Sequence, residues 1–234
     1  AQAAYERILD IDPNHVGAMI CLSRVLSARG NPEAAAEAAE RALQVDPRYD
    51  RAWRQLAGIR LTQKRWEEAM EFVTKALEAD PGWVPGNRLL GLALEGLGDF
   101  ERAAVASEKA LRGNPESSEA LRQYIHQMLR LEKRSEARSL LSTLVQEGAD
   151  TPLLHNALGE LYYYDEDYAQ ARPHFSKAAQ GGVTSAYNNL GVTYFMERDF
   201  ENACRAFEQC LAADPRHKGA RKNLMRAMGH LNRS

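Results

Sequence analysis

Cysteine is scarce: Cys21, Cys204 and Cys210 are the only three in 234 residues. An odd, widely scattered set excludes a disulfide framework, and no pair has zinc-ligand spacing, so small, buried, apolar thiols are expected. The six histidines show neither paired ligand spacing nor an HExxH motif. Long apolar runs are missing too. Nothing approaches the roughly 18 residues that would cross a bilayer, and the opening AQAAYERILDIDP lacks the basic-then-apolar pattern of a signal peptide. Unpaired cysteines without a signal peptide favour the cytoplasm, although the compartment stays open. An excess of charge is also absent. Thirty Lys+Arg against 32 Asp+Glu leave a net charge of -2, so no global field draws in nucleic acid or an anionic membrane.

The usual catalytic signatures do not occur. The glycines of GLALEGLGD, residues 91–99, form no phosphate-binding loop, and no Gly-x-Ser-x-Gly elbow is present. Asp165, Glu166 and Asp167 fall in a turn open to water, where a carboxyl pKa is not raised by enclosure. No cofactor, no metal and no enzymatic activity are therefore expected.

What the chain does have is a period. Proline recurs at Pro13, Pro47, Pro81 and Pro115 in steps of 34, with a later copy at Pro215, in phrases such as QVDPR and AADPR. Alanine keeps the same beat at Ala35, Ala69, Ala103, Ala137, Ala171 and Ala203. Aromatic residues stand three positions earlier at Trp66, Phe100, Tyr168 and Phe200, and small residues recur at Ser23, Ala57, Gly91, Gly159 and Gly191. Between prolines, apolar residues return every three to four positions in two bursts, which predicts two helices per unit. Asp-Pro and Asn-Pro phrases end the second helix, because the residue before proline is pushed out of the helical region. Alanine fits where helices approach closely.

These residues resemble the tetratricopeptide repeat family. Trp53, Ala57, Trp66, Ala69, Ala76 and Pro81 match its 34-residue pattern in one unit; Tyr187, Gly191, Tyr194, Phe200, Ala203 and Pro215 match it in another. The resemblance implies an all-α fold, a right-handed α-solenoid of stacked antiparallel helix hairpins. The expected division of a single solenoid over 1–234 is a half-repeat at 1–15, repeats at 16–49, 50–83, 84–117, 118–151, 152–183 and 184–217, and a capping helix at 218–234. Repeat 118–151 is degenerate, with Ile125 at the small position and Arg134 at the aromatic one. The stretch 118–183 is expected to be the least regular. Because the chain opens in a second helix, the apolar face of Tyr5, Ile8 and Leu9 has no preceding partner. Further repeats before residue 1, or self-association through that face, are expected to cover it.

In the family, first helices line a concave groove that binds partners. On the inward stripe this places Arg24; Arg51, Arg54 and Gln55; Arg88, Leu89 and Leu92; Arg122, Gln123, His126 and Arg130; Asn156, Glu160, Tyr163 and Tyr164; Asn188, Asn189, Val192, Phe195 and Met196; and Lys222, Asn223 and Arg226. Arg54, Arg88 and Arg122 are 34 apart. Either they form a row of guanidinium forks for carboxylates or phosphates of an acidic partner, or each pairs with an acid on a neighbouring helix. Tyr163, Tyr164, Phe195 and Met196 supply adaptable apolar area beside Asn156 and Asn188, unless they simply pack between helices. Asn189 and Asn223, also 34 apart, resemble two rungs of the asparagine ladder by which some family members grip peptide backbones. The family's two-carboxylate clamp for chaperone tails is not matched, since pairs such as Arg54/Gly58 and Arg122/His126 lack its Lys/Asn pattern.

Residues 216–234 carry Arg216, Lys218, Arg221, Lys222, Arg226 and Arg233 and no acid. A solvated cap is one reading; a surface for an acidic protein, nucleic acid or lipid is the other. The function expected is a protein-interaction scaffold or adaptor that binds a peptide or protein segment in the groove within a multi-protein assembly. The alternative is a regulatory or substrate-docking region of a larger enzyme such as a glycosyltransferase, with nucleic-acid binding less favoured.

Overall fold

The structure, a computed structural model, describes residues 1–231; residues 232–234, including Arg233 of the basic C-terminal stretch, lie outside the described residues. Fourteen helices and no strands form among them. The hairpins are α2 (Val16–Ala28) with α3 (Pro32–Val45), α4 (Asp50–Thr62) with α5 (Trp66–Ala79), and α6 (Val84–Gly96) with α7 (Phe100–Gly113); α8 (Ser118–Arg130) and α9 (Arg134–Gln146) come next in the chain. Then follow α10 (Pro152–Tyr164) with α11 (Tyr168–Gln180) and α12 (Thr184–Met196) with α13 (Phe200–Ala213). α1 (Gln2–Ile11) precedes the first pair and α14 (Lys218–Leu231) follows the last.

Local chemistry fixes the helix ends. Asn31, Asp99, Asp167 and Asp199 accept backbone N–H bonds at the starts of α3, α7, α11 and α13. The turn that follows each first helix puts one residue in the left-handed region: Gly30, Lys64, Gly98, Glu132, Glu166 and Arg198. Their spacing repeats the period seen in the alanines. Asp46, Asp80 and Asp214 are extended, and Asn114 is likewise outside the helical region, as the following proline favours. The aspartates do more than precede a proline. Asp46, Asp80 and Asp214 each accept, through Oδ1, the N–H two residues on, at 3.0, 2.9 and 3.0 Å, so the side chain itself closes the turn.

The helices gather into two compact units. The first comprises Ala1–Asn114 with Arg122–Leu131, the second Pro115–Leu121 with the chain from Glu132 onward; their boundary runs through α8. In the first unit, α2 packs on α3, α4 on α5 and α6 on α7, α3 packs on α4 and α5 on α6, and the first helices α2, α4 and α6 also touch in sequence. The second unit repeats the arrangement, with α10, α12 and α14 forming the row of first helices. All six phased alanines are fully buried. Phe175 and Phe207 fill the space over Gly159 and Gly191, while the Ser23 hydroxyl donates to the Ala35 carbonyl at 2.6 Å.

Candidate functional site

In the first unit, Arg24 on α2 and Arg51 and Arg54 on α4 line an open cavity of about 510 Å³ with Tyr5, Cys21 and Tyr49. Arg54 takes the paired alternative: its Nη2 meets Asp50 at 2.6 Å and Asp80 at 2.5 Å, and its guanidinium lies over Trp83. It is therefore the least available member of the row. Arg24, Arg51, Arg88 and Arg122 make no ion pair among the described residues. Arg24, Arg51 and Arg122 are exposed, and Arg88 is half-buried. His126 Nδ1 lies 3.1 Å from Glu95, whose other oxygen accepts from the buried Gln127 at 2.9 Å. That carboxylate ties α6 to α8 and occupies His126.

In the second unit the amides of three first helices join. Asn156 Nδ2 donates to Glu160 Oε1 at 2.7 Å, one helical turn on in α10. Asn189 Nδ2 on α12 reaches both Asn156 Oδ1 and Glu160 Oε1 at 3.4 Å. Asn223 Nδ2 on α14 donates to Asn188 Oδ1 at 3.0 Å, and Asn188 faces Asn189 at 3.5 Å. Asn189 and Asn223 are the two residues that resemble rungs of the family's asparagine ladder; Asn223 bonds Asn188, and Asn189 bonds Asn156 and Glu160. Burial pushes the Glu160 carboxyl above the usual range, against the pull of the two amides.

Beside this network, Glu160, Tyr163, Tyr164, Asn189 and Val192 line a cavity of about 160 Å³ over Phe175. Tyr163 meets Tyr164 edge-on and Tyr168 at a tilt, and burial, with those two phenols next, raises its pKa. Phe195 has a different setting. It packs edge-on to Phe200, and Arg226 lies over its ring at 4.8 Å. Lys222 is exposed on α14.

Two features were not singled out from the sequence. Glu160 stood on the inward stripe, but nothing in one sequence marks a carboxylate as the centre of an amide network on another helix. The second is an imidazole pair, buried at His155 and half-buried at His174. His155 Nε2 meets Asp150 at 2.6 Å, His155 Nδ1 meets His174 Nδ1 at 2.8 Å, and Lys177 pairs with Asp150 at 2.7 Å. Nineteen residues separate the histidines, a spacing that signals contact only once α10 and α11 are known to be antiparallel. No group of three or more potential metal ligands occurs among the described residues.

Three models, each described as "Tetratricopeptide repeat", match residues 22–82, 94–161 and 184–217, together well over half of the chain. The chain belongs to the tetratricopeptide repeat family. Repeats of this family are in general protein-interaction modules. The "Tetratricopeptide repeat domain-containing protein PYG7, chloroplastic" of Arabidopsis thaliana is 31% identical over 129 residues. The match takes in 53% of this chain and 43% of that protein, so the chain spans less than half of this relative's length. Among solved structures, the C-terminal part of a tetratricopeptide repeat protein from Cytophaga hutchinsonii superimposes with a TM-score of 0.72 at 16% identity, covering 95% of this chain and 93% of that one. The protein YrrB, described as having "an unusual peptide-binding site", aligns with a TM-score of 0.54 at 18% identity over 94% and 97% of the two chains. At such identities these likenesses establish a shared helical-repeat solenoid fold. Among the described residues, no helix is long and apolar enough to cross a membrane.

Proposed function

We propose that this chain is an interaction scaffold, without catalytic chemistry of its own, that holds extended segments of partner proteins on the faces of its first helices. The observation that carries the reading is the amide network across α10, α12 and α14, which opens beside an aromatic-lined cavity. Side-chain amides carry both donor and acceptor, as a peptide backbone does, so they can bond a strand of any sequence while the cavity takes a side chain. In this reading the repeats run 16–49, 50–83, 84–117, 118–151, 152–183 and 184–217. The contacts of the second unit come from Asn156, Tyr163, Tyr164, Asn188, Asn189, Phe195, Lys222, Asn223 and Arg226.

In the first unit Arg24, Arg51, Arg88 and Arg122 are available for carboxylates or phosphates, while Arg54 and His126 hold neighbouring helices. The shared fold with YrrB, a protein described as having a peptide-binding site, is a precedent for the use of such a surface.

The test compares partners retained by the wild-type chain with those retained by Arg24→Glu/Arg51→Glu and by Tyr164→Ala/Asn189→Ala, each matched for helicity. Loss of a defined partner from one variant is the expected result. Partners that bind all three chains equally would overturn the reading.

A further inference from the structure

The second unit's cavity holds a charge that the fold does not explain. Glu160 is half-buried, and its hydrogen bonds come from Asn156 and Asn189, both neutral and both directed at Oε1. It makes no ion pair among the described residues, although acids elsewhere in the chain, such as Asp50, Asp80, Asp150 and Asp165, each meet a cation. A glutamine would accept the same amide bonds without the cost of withdrawing a charge from water. Tyr163 and Tyr164 line the same cavity as the carboxylate, and the faces of aromatic rings attract cations. A volume of about 160 Å³, on the order of five waters of liquid, suits one extended side chain and excludes a folded element.

We infer that Glu160 is the receptor for a basic side chain, the ammonium of a lysine or the guanidinium of an arginine, carried by the extended segment bound across α10 and α12. The aromatic rings enclose its aliphatic stem, the carboxylate Oε2 receives its N–H groups, and the Asn156 and Asn189 amides keep the carboxylate in place. The two units thus select opposite charges: guanidinium groups on α2, α4 and α6 favour acidic partners, and Glu160 favours a basic one. This inference rests on the reading of the first-helix faces as peptide-binding surfaces.

A library of random twelve-residue peptides displayed on phage, selected separately on the full wild-type chain, on Glu160→Gln and on Glu160→Lys, tests it. Circular dichroism first confirms equal helicity. The wild type should enrich peptides with Lys or Arg at one fixed position. A selected peptide should bind Glu160→Gln about tenfold or more weakly, and Glu160→Lys should enrich an acid at that position instead. Enriched peptides with no basic position, or a basic preference that survives in Glu160→Gln, would overturn the role of Glu160 while leaving peptide binding intact. Failure of the wild type to enrich any peptide would overturn the surface reading, and this inference with it.

Discussion

A Cβ built on Gly159 would stand 2.6 Å from the Phe175 ring, and one on Gly191 would stand 2.5 Å from Phe207. Both distances are far inside van der Waals contact, and both rings are buried. Gly159→Ala or Gly191→Ala should therefore cost about 1–3 kcal/mol by overpacking, read from urea denaturation; an unchanged midpoint would show that the rings can retreat. The left-handed turn positions give the opposite sign. Glycine fills that conformation at Gly30 and Gly98, whereas Lys64 and Glu166 hold φ of 58° and 59° with a side chain. Lys64→Gly and Glu166→Gly should each stabilise by about 0.5–1 kcal/mol, and a loss of stability in either would mean that the side chain supplies a compensating contact. At this scale the sequence was most legible where one residue type repeats. The phased alanines and glycines announced close packing, and they are buried. Lys64, Glu132, Glu166 and Arg198 share a backbone state but no chemistry, so nothing in their identities revealed it. Glu160 was hidden for a different reason: its partner Asn189 lies 29 residues away, on another helix.

Single helices are held to their neighbours by polar contacts as well as by packed alanines. Arg60 on α4 is buried, and it reaches Glu40 on α3 and Glu68 on α5, each at 2.9 Å. One guanidinium thus joins three consecutive helices. Arg60→Met should cost about 1–3 kcal/mol, since Glu40 loses its cation and Glu68 keeps only Arg65, while both carboxylates stay partly exposed to water. Retained stability in the chemical-denaturation midpoint would show that the methionine stem supplies all that the arginine did.

The hairpin of α10 and α11 carries a pH dependence of its own. His174 lies against Tyr162 and His155, with Asp150 and Lys177 beyond, and Arg138 stands over the Tyr162 ring. Burial, then His155 and Lys177, lowers the His174 pKa below its ordinary 6.5. A lowered histidine pKa means that the unfolded chain takes up the proton more readily. Neutral His174 thus contributes stability in full above about pH 6.5, and that contribution is lost as pH falls through the folded value. Asp150, held below the usual carboxylate range by Lys177 and His155, acts in a separate and more acid window. The melting temperature of the wild type should drop between pH 7 and pH 5, and His174→Gln should flatten that slope. Equal slopes in the two chains would assign the effect to other groups.

At the scale of the whole molecule, the 34-residue period and the two apolar bursts in each unit contained the helical-repeat solenoid. The hairpin helices begin and end near the proline phrases and turns that marked them. Function was less legible, because a binding face is made from residues one turn apart on a helix and about 34 residues apart between helices, while the same stripe also carries packing contacts. Arg54 and Arg122 look alike in sequence, yet one is clasped by Asp50 and Asp80 and the other is exposed. The central claim concerns which faces meet a partner. A photoreactive amino acid placed singly at Gln55 and Val192, which line the two cavities, and at Val105 and Gln209, exposed on the second helices α7 and α13, tests it most directly in lysate of the source cells. Discrete cross-linked adducts from Gln55 or Val192, with little or none from Val105 and Gln209, are the expected result. Adducts of equal or greater yield from Val105 and Gln209 would contradict binding on the first-helix faces.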